Sequence, residues 1–275
     1  MICGGSEGPV VRFRILGGLE AVSPLGSATV SGEFQRRLLQ TLLVSEGRAI
    51  TGDMLMTELW GELPPAGAAN ALQAHASRIR RKIRQIEPHR ERPRLICRPN
   101  GYQLLMDGAE LDATAFVESV ARAERIRLDA PEQAVGLLRP ALRLWSGAVC
   151  GGSPGGPLCR AAAARYEERR LQAMEALFDS ELMLGRHAAI LAELREVHMD
   201  DPLRERFCEQ LMVALYRSGR QAEALGTCRR TWQCLIDQLG VDPSPSLRRV
   251  EHAILAQDPA LDRGPVSAVH AARIP

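Results

Sequence analysis

The chain opens with polar and apolar positions in alternation and then repeats them every three to four residues almost to its end. Across Val10–Leu16, Val11, Phe13 and Ile15 share one face and Arg12 and Arg14 the other, the pattern of a half-buried strand. Gly17–Gly18 turns it, Leu19–Val22 pairs back, and Pro24–Gly26 precedes a short Ala28–Val30 strand, so a small antiparallel sheet is predicted. Ser31 stands as an N-cap with Glu33 in the first turn. Phe34, Leu38 and Leu42, with Leu39 and Leu43, then keep helical spacing up to Gly47, which suits the C′ position. A second short helix takes Thr51 as cap and Gly61 as stop, with Leu55, Leu59 and Trp60 on its buried side. The Pro pair in Gly61–Gly67 prevents helix there.

Ala69–Ile86 has the best-formed periodicity in the chain. At ~100° per residue, Leu72, Ala76, Ile79, Ile83 and Ile86 make one apolar stripe. Asn70, Gln73, Ser77, Arg81 and Arg84 lie opposite, flanked by Arg78 and Arg80. A hairpin follows: Leu95–Arg98, a Pro99-Asn100-Gly101 turn, then Tyr102–Leu105. Strand, strand, three helices and a hairpin define a winged helix-turn-helix over residues 10–107, behind a Gly-rich tail (1–9) expected to be disordered.

From Asp112 the pattern is almost purely helical, with helices predicted over Ala113–Asp129, Pro131–Trp145 and Leu158–Leu184. LGRHAAIL (184–191) matches SGRQAEAL (218–225), which places Gly185 and Gly219 34 residues apart, the tetratricopeptide period. Glycine is expected at the tight turn between paired helices, and the alanine after it at their close approach. Each unit ends in Asp-Pro, at Asp201-Pro202 and Asp242-Pro243. The second is longer, which predicts an unusually long helix over Gln221–Leu239. Ser146–Pro157 is Gly-rich but lacks G-K-[ST] and a preceding strand, so it reads as a connecting loop. The helical domain is drawn as 112–257, with 258–275 a disordered tail. The fold class is therefore mostly α: an N-terminal winged helix-turn-helix (α+β) followed by an all-α, tetratricopeptide-like helical-repeat domain.

Charge changes the picture most. Ala68–Arg98 carries nine Arg or Lys against two acids, Glu87 and Glu91, in a chain whose net charge is only +2. Lys82 is the only lysine among the 35 basic residues. A cluster this dense is the footprint of a surface that meets phosphates. Asn or Gln can bond adenine bidentately and Arg guanine, while more distal cations hold the backbone. That assigns Asn70, Gln73, Ser77 and Arg81 to bases and Arg78, Arg80 and Arg84 to phosphates. Arg98, beside the hairpin tip, is placed at a minor groove, and Arg92 and Arg94 at the DNA backbone. The alternative for such a helix is a solvated cationic face. Against it, no acid stands between Arg78 and Arg84.

The remaining composition excludes other classes. No apolar run approaches the ~18 residues that span a membrane, and no signal pattern opens the chain, so a cytoplasmic, nucleoid-associated protein is expected. Seven cysteines lie at irregular spacings without C-x-x-C, and the six histidines form no H-E-x-x-H, so the cysteines read as small buried hydrophobes. No nucleophile–base pair, paired carboxylates, metal spacing or dinucleotide loop stands out, so neither an enzyme nor a cofactor or metal is expected.

Residues 10–105 resemble the OmpR-type winged-helix domain, through SGEFQRRLLQTLL, Leu55–Trp60, ANALQAHASRIRRKI and RPNGYQL. The resemblance implies that the third helix enters the major groove and that Arg98 is the wing's minor-groove residue. It also implies that the loop holding Glu62, Leu63, Pro64 and Pro65 faces RNA polymerase. Pro99 departs from the usual Gly and is expected to stiffen the wing. No receiver domain stands in front, so its phosphorylation is not expected to be the switch. With LDATAFVESVARA, ALRLWSG, LRERFCEQLMVALYRSGRQAEAL and LGVDPSPSLRRVEHAIL, residues 10–257 resemble the SARP family, the Streptomyces antibiotic regulatory proteins, and specifically a small member without the ATPase domain. That resemblance implies a transcriptional activator of secondary-metabolite genes. It would bind direct repeats in double-stranded DNA as a tandem homodimer and recruit RNA polymerase holoenzyme, including its sigma factor. The alternatives are a helical-repeat adaptor and a DNA-binding repressor without activating contacts.

Overall fold

In a computed structural model, residues 11–153 and 155–262 are described. The expected tail at 1–9 and most of that at 258–275 lie outside them. The described residues divide into two compact units. Residues up to Ser119 with Ala141–Arg170 form the first, and Val120–Pro140 with Leu171 onward the second. The expected segments 10–107 and 112–257 follow sequence, whereas compactness follows contacts, and residues 141–170 pack with the winged helix.

In the first unit, β1 (Val11–Arg14), β2 (Glu20–Ser23), β3 (Gly26–Ser27) and β7 (Ala109–Leu111) form a sheet in the order β3-β2-β1-β7. Val11, Phe13 and Ile15 are buried, as alternation requires. The third strand falls on Gly26–Ser27 rather than Ala28–Val30, because the tight turn pairs Ser23 with Gly26 and Val22 with Ser27. β7 runs parallel to β1, pairing Val11 with Ala109. Three helices follow: α1 (Glu33–Val44), α2 (Gly52–Trp60) and α3 (Ala68–Ile86). Gly32, not Ser31, is the N-cap of α1 and makes no side-chain bond. Ser31 instead lies 3.4 Å from Lys82 Nζ, which also donates to the Thr29 carbonyl. α1 stops at Val44, and Glu46 rather than Gly47 takes the first left-handed position, at φ 50°. Thr51 caps α2, accepting from Met54 N at 3.3 Å.

β5 (Leu95–Arg98) and β6 (Gly101–Leu104) form the hairpin, with β4 (Ile50–Thr51) paired to β6 on its other side. Arg98 pairs with Gly101, so the loop is only Pro99–Asn100 and Gly101 already belongs to the strand. Glycine is required there by proximity: a Cβ would collide with the Ile50 carbonyl of β4.

The connecting loop is built into this unit. Ser146 N donates to Leu16 O at 2.8 Å and Cys150 N to Ile15 O at 2.7 Å. Trp145 meets Phe116 edge-on, with ring centroids 5.5 Å apart. Asp112, at the head of α4 (Asp112–Ile126), accepts from the amides of Ile15, Leu16 and Ala113, and burial raises its pKa. Glu58 of α2 is buried and accepts from Leu158 N and Cys159 N, capping α6 (Pro157–Met183). A carboxylate there satisfies amides that no helical carbonyl reaches and meets the positive end of the helix. Gly156 is forced by the approach, since a Cβ would collide with Glu58 Cα.

The second unit holds the later part of α4, α5 (Pro131–Leu142) as far as Pro140, the C-terminal part of α6, α7 (His187–Asp200), α8 (Glu205–Arg217), α9 (Gln221–Leu239) and α10 (Pro245–Ala256). α9 occupies the span predicted for the long helix. The two repeat turns are superposable in their bonding: Arg186 N donates to Glu181 O and Arg220 N to Leu215 O, both at 2.9 Å, around Gly185 at φ 72° and Gly219 at φ 73°. The alanines after them, Ala188 and Ala222, are exposed. Close packing falls instead to Ile190 and Ala224, both fully buried and again 34 residues apart, in one apolar cluster with the buried residues of α8. Order also continues past 257: Pro259–Leu261 forms a 3-10 turn, Leu261 is buried and its carbonyl accepts from Arg217 Nε at 2.6 Å.

Candidate nucleic-acid interface

α3 presents the face that its periodicity defines. Leu72, Ala76, Ile79, Ile83 and Ile86 are buried, while Asn70, Gln73, Ser77, Arg78, Arg81 and Arg84 are exposed. Six hydrogen-bonding side chains thus stand on one side of a 19-residue helix whose other side is anchored in the core. Below its N-terminal half, Phe34, Trp60 and His75 stack, with centroids 5.4–6.5 Å apart. Trp60 is therefore only half-buried, part of an aromatic cluster rather than the central core. Burial and neighbouring Arg78 lower the pKa of His75. The loop above it carries Glu62, Leu63, Pro64 and Pro65, all exposed, with Leu63 at 89%.

The wing positions its arginine through a residue that sequence reasoning missed. Arg98 is exposed, and its Nε donates to Gln103 Oε1 at 2.7 Å. Gln103 Nε2 in turn donates to Gly47 O at 2.7 Å. The strand pairing sets Arg98 diagonally across from Gln103 on one face of the hairpin, and that alternation was the available signal.

Two predicted contacts change role. Arg94 is not a backbone contact. Its side chain is wholly buried, and its five N–H groups are all in use. Two meet Glu87, at 2.6 and 2.5 Å; the others reach the carbonyls of Leu105, Asp107 and Gly108, at 2.9–3.1 Å. It fastens the end of α3 to the strands that follow. Arg80 is half-buried and spends Nε on Leu95 O at 2.9 Å, joining α3 to β5. Arg92 is exposed. Arg90 beside it bonds Asp107, whose carboxyl is held below its usual range by that guanidinium.

Among the described residues no group of His, Cys, Asp and Glu could hold a metal, and no helix is long and apolar enough to cross a membrane. The six cysteines among the described residues are free thiols; burial pushes Cys150, Cys159 and Cys228 up to about 12, which keeps them protonated.

A winged helix whose third helix presents a cationic and amide face, followed by helical repeats, is the architecture of a transcription regulator. Residues 31–104 match the family described as transcriptional regulatory protein, C terminal, and residues 111–255 that described as bacterial transcriptional activator domain. The chain belongs to the SARP family of transcriptional activators and is not an enzyme. It is 40% identical to the transcriptional regulator RedD of Streptomyces coelicolor, over 92% of this chain and 73% of that one. It is also 40% identical to the regulatory protein AfsR of that organism, over 93% of this chain but only a quarter (25%) of AfsR. Among solved structures, Mycobacterium tuberculosis EmbR in complex with a low-affinity phosphopeptide aligns with a TM-score of 0.83 at 29% identity, covering 96% of this chain and 68% of that one.

Proposed function

We propose that the chain is a sequence-specific DNA-binding activator that reads its operator with α3 and the wing. The observation that carries this reading is the α3 face, where Asn70, Gln73, Ser77, Arg81 and Arg84 stand exposed together. Asn70 and Gln73 meet base edges in the major groove. Ser77 and Arg81 reach base edges beside them, Arg81 also bringing its charge close to the phosphates; Arg78, Arg84 and Arg92 hold the backbone, and Arg98 enters the minor groove. The loop Glu62–Pro65 faces RNA polymerase holoenzyme, including sigma. Two protomers sit head-to-tail on direct repeats upstream of secondary-metabolite promoters. Membership of the SARP family supports both of the last two assignments.

DNase footprinting and run-off transcription on such promoters test the reading. Arg81→Ala lowers affinity on every sequence. Gln73→Ala costs ~1–3 kcal/mol at particular base pairs only. Leu63→Asp keeps the footprint and loses the added transcript. If Arg81→Ala and Arg98→Ala both leave operator binding intact at physiological salt, the interface is wrongly placed. Equal binding to scrambled DNA would indicate an adaptor, and a footprint that lowers transcription a repressor.

A further inference from the structure

In the second unit α7, α8 and α9 surround a cavity of about 480 Å³, a size typical of small-molecule sites. Leu211 and Leu215, both buried, line its apolar depth, and Met199, 70% exposed, stands at its mouth. Two arginines line it as well, Arg195 of α7 and Arg230 of α9. Arg195 shares Glu223 with Arg220. Arg230 donates to Thr227 Oγ1 at 3.0 Å and forms no ion pair among the described residues.

His198 is the polar group without a full set of partners. It is buried, and its Nε2 lies 3.3 Å from Thr231 Oγ1. Its Nδ1 is buried with no partner. Burial, reinforced by Arg230 and opposed by Asp201, lowers its pKa.

We propose that this cavity binds a small apolar organic anion. Its carboxylate or sulfonate lies against Arg195 and Arg230 and its hydrocarbon body on Leu211 and Leu215. The charge balance selects an anion: Arg195 and Arg230 line the cavity against one carboxylate, Glu223, which Arg195 and Arg220 already hold in hydrogen bonds and which Arg230 meets only from beyond ion-pair distance. The apolar depth selects a hydrocarbon body over a sugar or a free inorganic ion. Such a ligand touches three helices at once, so it stabilises their packing and raises the melting temperature of the chain.

The test titrates the full chain with 8-anilinonaphthalene-1-sulfonate and with its uncharged counterpart N-phenyl-1-naphthylamine. Each is followed by fluorescence, with 1-naphthoate as competitor. Saturable one-site binding of the sulfonate is expected, displaced by 1-naphthoate. Arg230→Gln weakens the sulfonate about tenfold and leaves the neutral probe nearly unchanged. Cys234→Trp, which fills the cavity from α9, removes both. Circular dichroism melting confirms that the variants are folded, which separates site binding from dye uptake by loosened protein. Arg230 is exposed, so its variant decides the question even if Cys234→Trp fails to fold. Absence of saturable binding, or equal weakening of both probes in Arg230→Gln, overturns the proposal. So does full sulfonate binding by a folded Cys234→Trp.

Discussion

Arg81 and Arg94 are thirteen positions apart in one basic run, and nothing in composition separates them. Their surroundings do. Arg81 projects into solvent from the exposed face of α3, whereas Arg94 is sealed behind Glu87 and three carbonyls. Removing one partner of a buried pair leaves the other charge uncompensated, at about 3–5 kcal/mol. Arg94→Ala is therefore expected to lower stability by that order, seen as a reduced urea midpoint, and to impair DNA binding only through unfolding. Arg81→Ala should leave the midpoint within ~0.5 kcal/mol of wild type. Equal urea midpoints for the two variants would return Arg94 to the surface. Periodicity could not have made this distinction: Arg94 lies at the edge of a four-residue strand, and its acid partner is seven residues back across a loop.

At the scale of elements, long periodic segments were readable and short paired ones were not. α3 and α9 came out within a residue of prediction because 19 residues of consistent amphipathicity leave little choice. β4 has two residues and β7 three, and each exists only through a strand distant in sequence. The wing shows the consequence. Gly101 looked like a turn residue, yet its place is fixed by Ile50 of β4 lying against it. Gly101→Ala should therefore separate β4 from β6 while leaving the α3 helix intact. Hydrogen exchange is expected to speed up at Ile50–Thr51 and Tyr102–Leu104 and to stay slow at Ile79–Ile83. Unchanged protection in the wing would mean that the three strands do not depend on this approach. The candidate site divides the same way: the α3 face followed from periodicity, but the Arg98–Gln103–Gly47 relay required the register of the hairpin.

For the whole molecule, the count of usable charge is smaller than the sequence suggests. Of the nine cations in 68–98, Arg90 and Arg94 are paired with Asp107 and Glu87. Lys82 and Arg80 keep their charge but are half-buried and turned to neutral acceptors, Lys82 to Thr29 and Ser31 and Arg80 to Leu95. Arg78, Arg81, Arg84, Arg92 and Arg98 remain exposed. Each neutralised phosphate contributes about −0.9 to the slope of log K against log salt, so one protomer should give a slope of about −4 to −5. A slope near −8 in a salt titration of one protomer on a single half-site would mean that all nine cations bind DNA. The charge cluster marks the proposed interface, but its strength depends on which arginines the fold has already used.

The Glu58 cap on α6 carries a consequence for descent. The two family segments meet here through a carboxylate from one and a glycine loop from the other, within a single compact unit. A gene that acquired a new winged helix by recombination would set an unfamiliar residue 58 against an inherited Gly156. If α3 reads the operator as proposed, changes of operator are open to this lineage mainly by substitution on its outer face, where Asn70, Gln73 and Ser77 are exposed and lie apart from that seam.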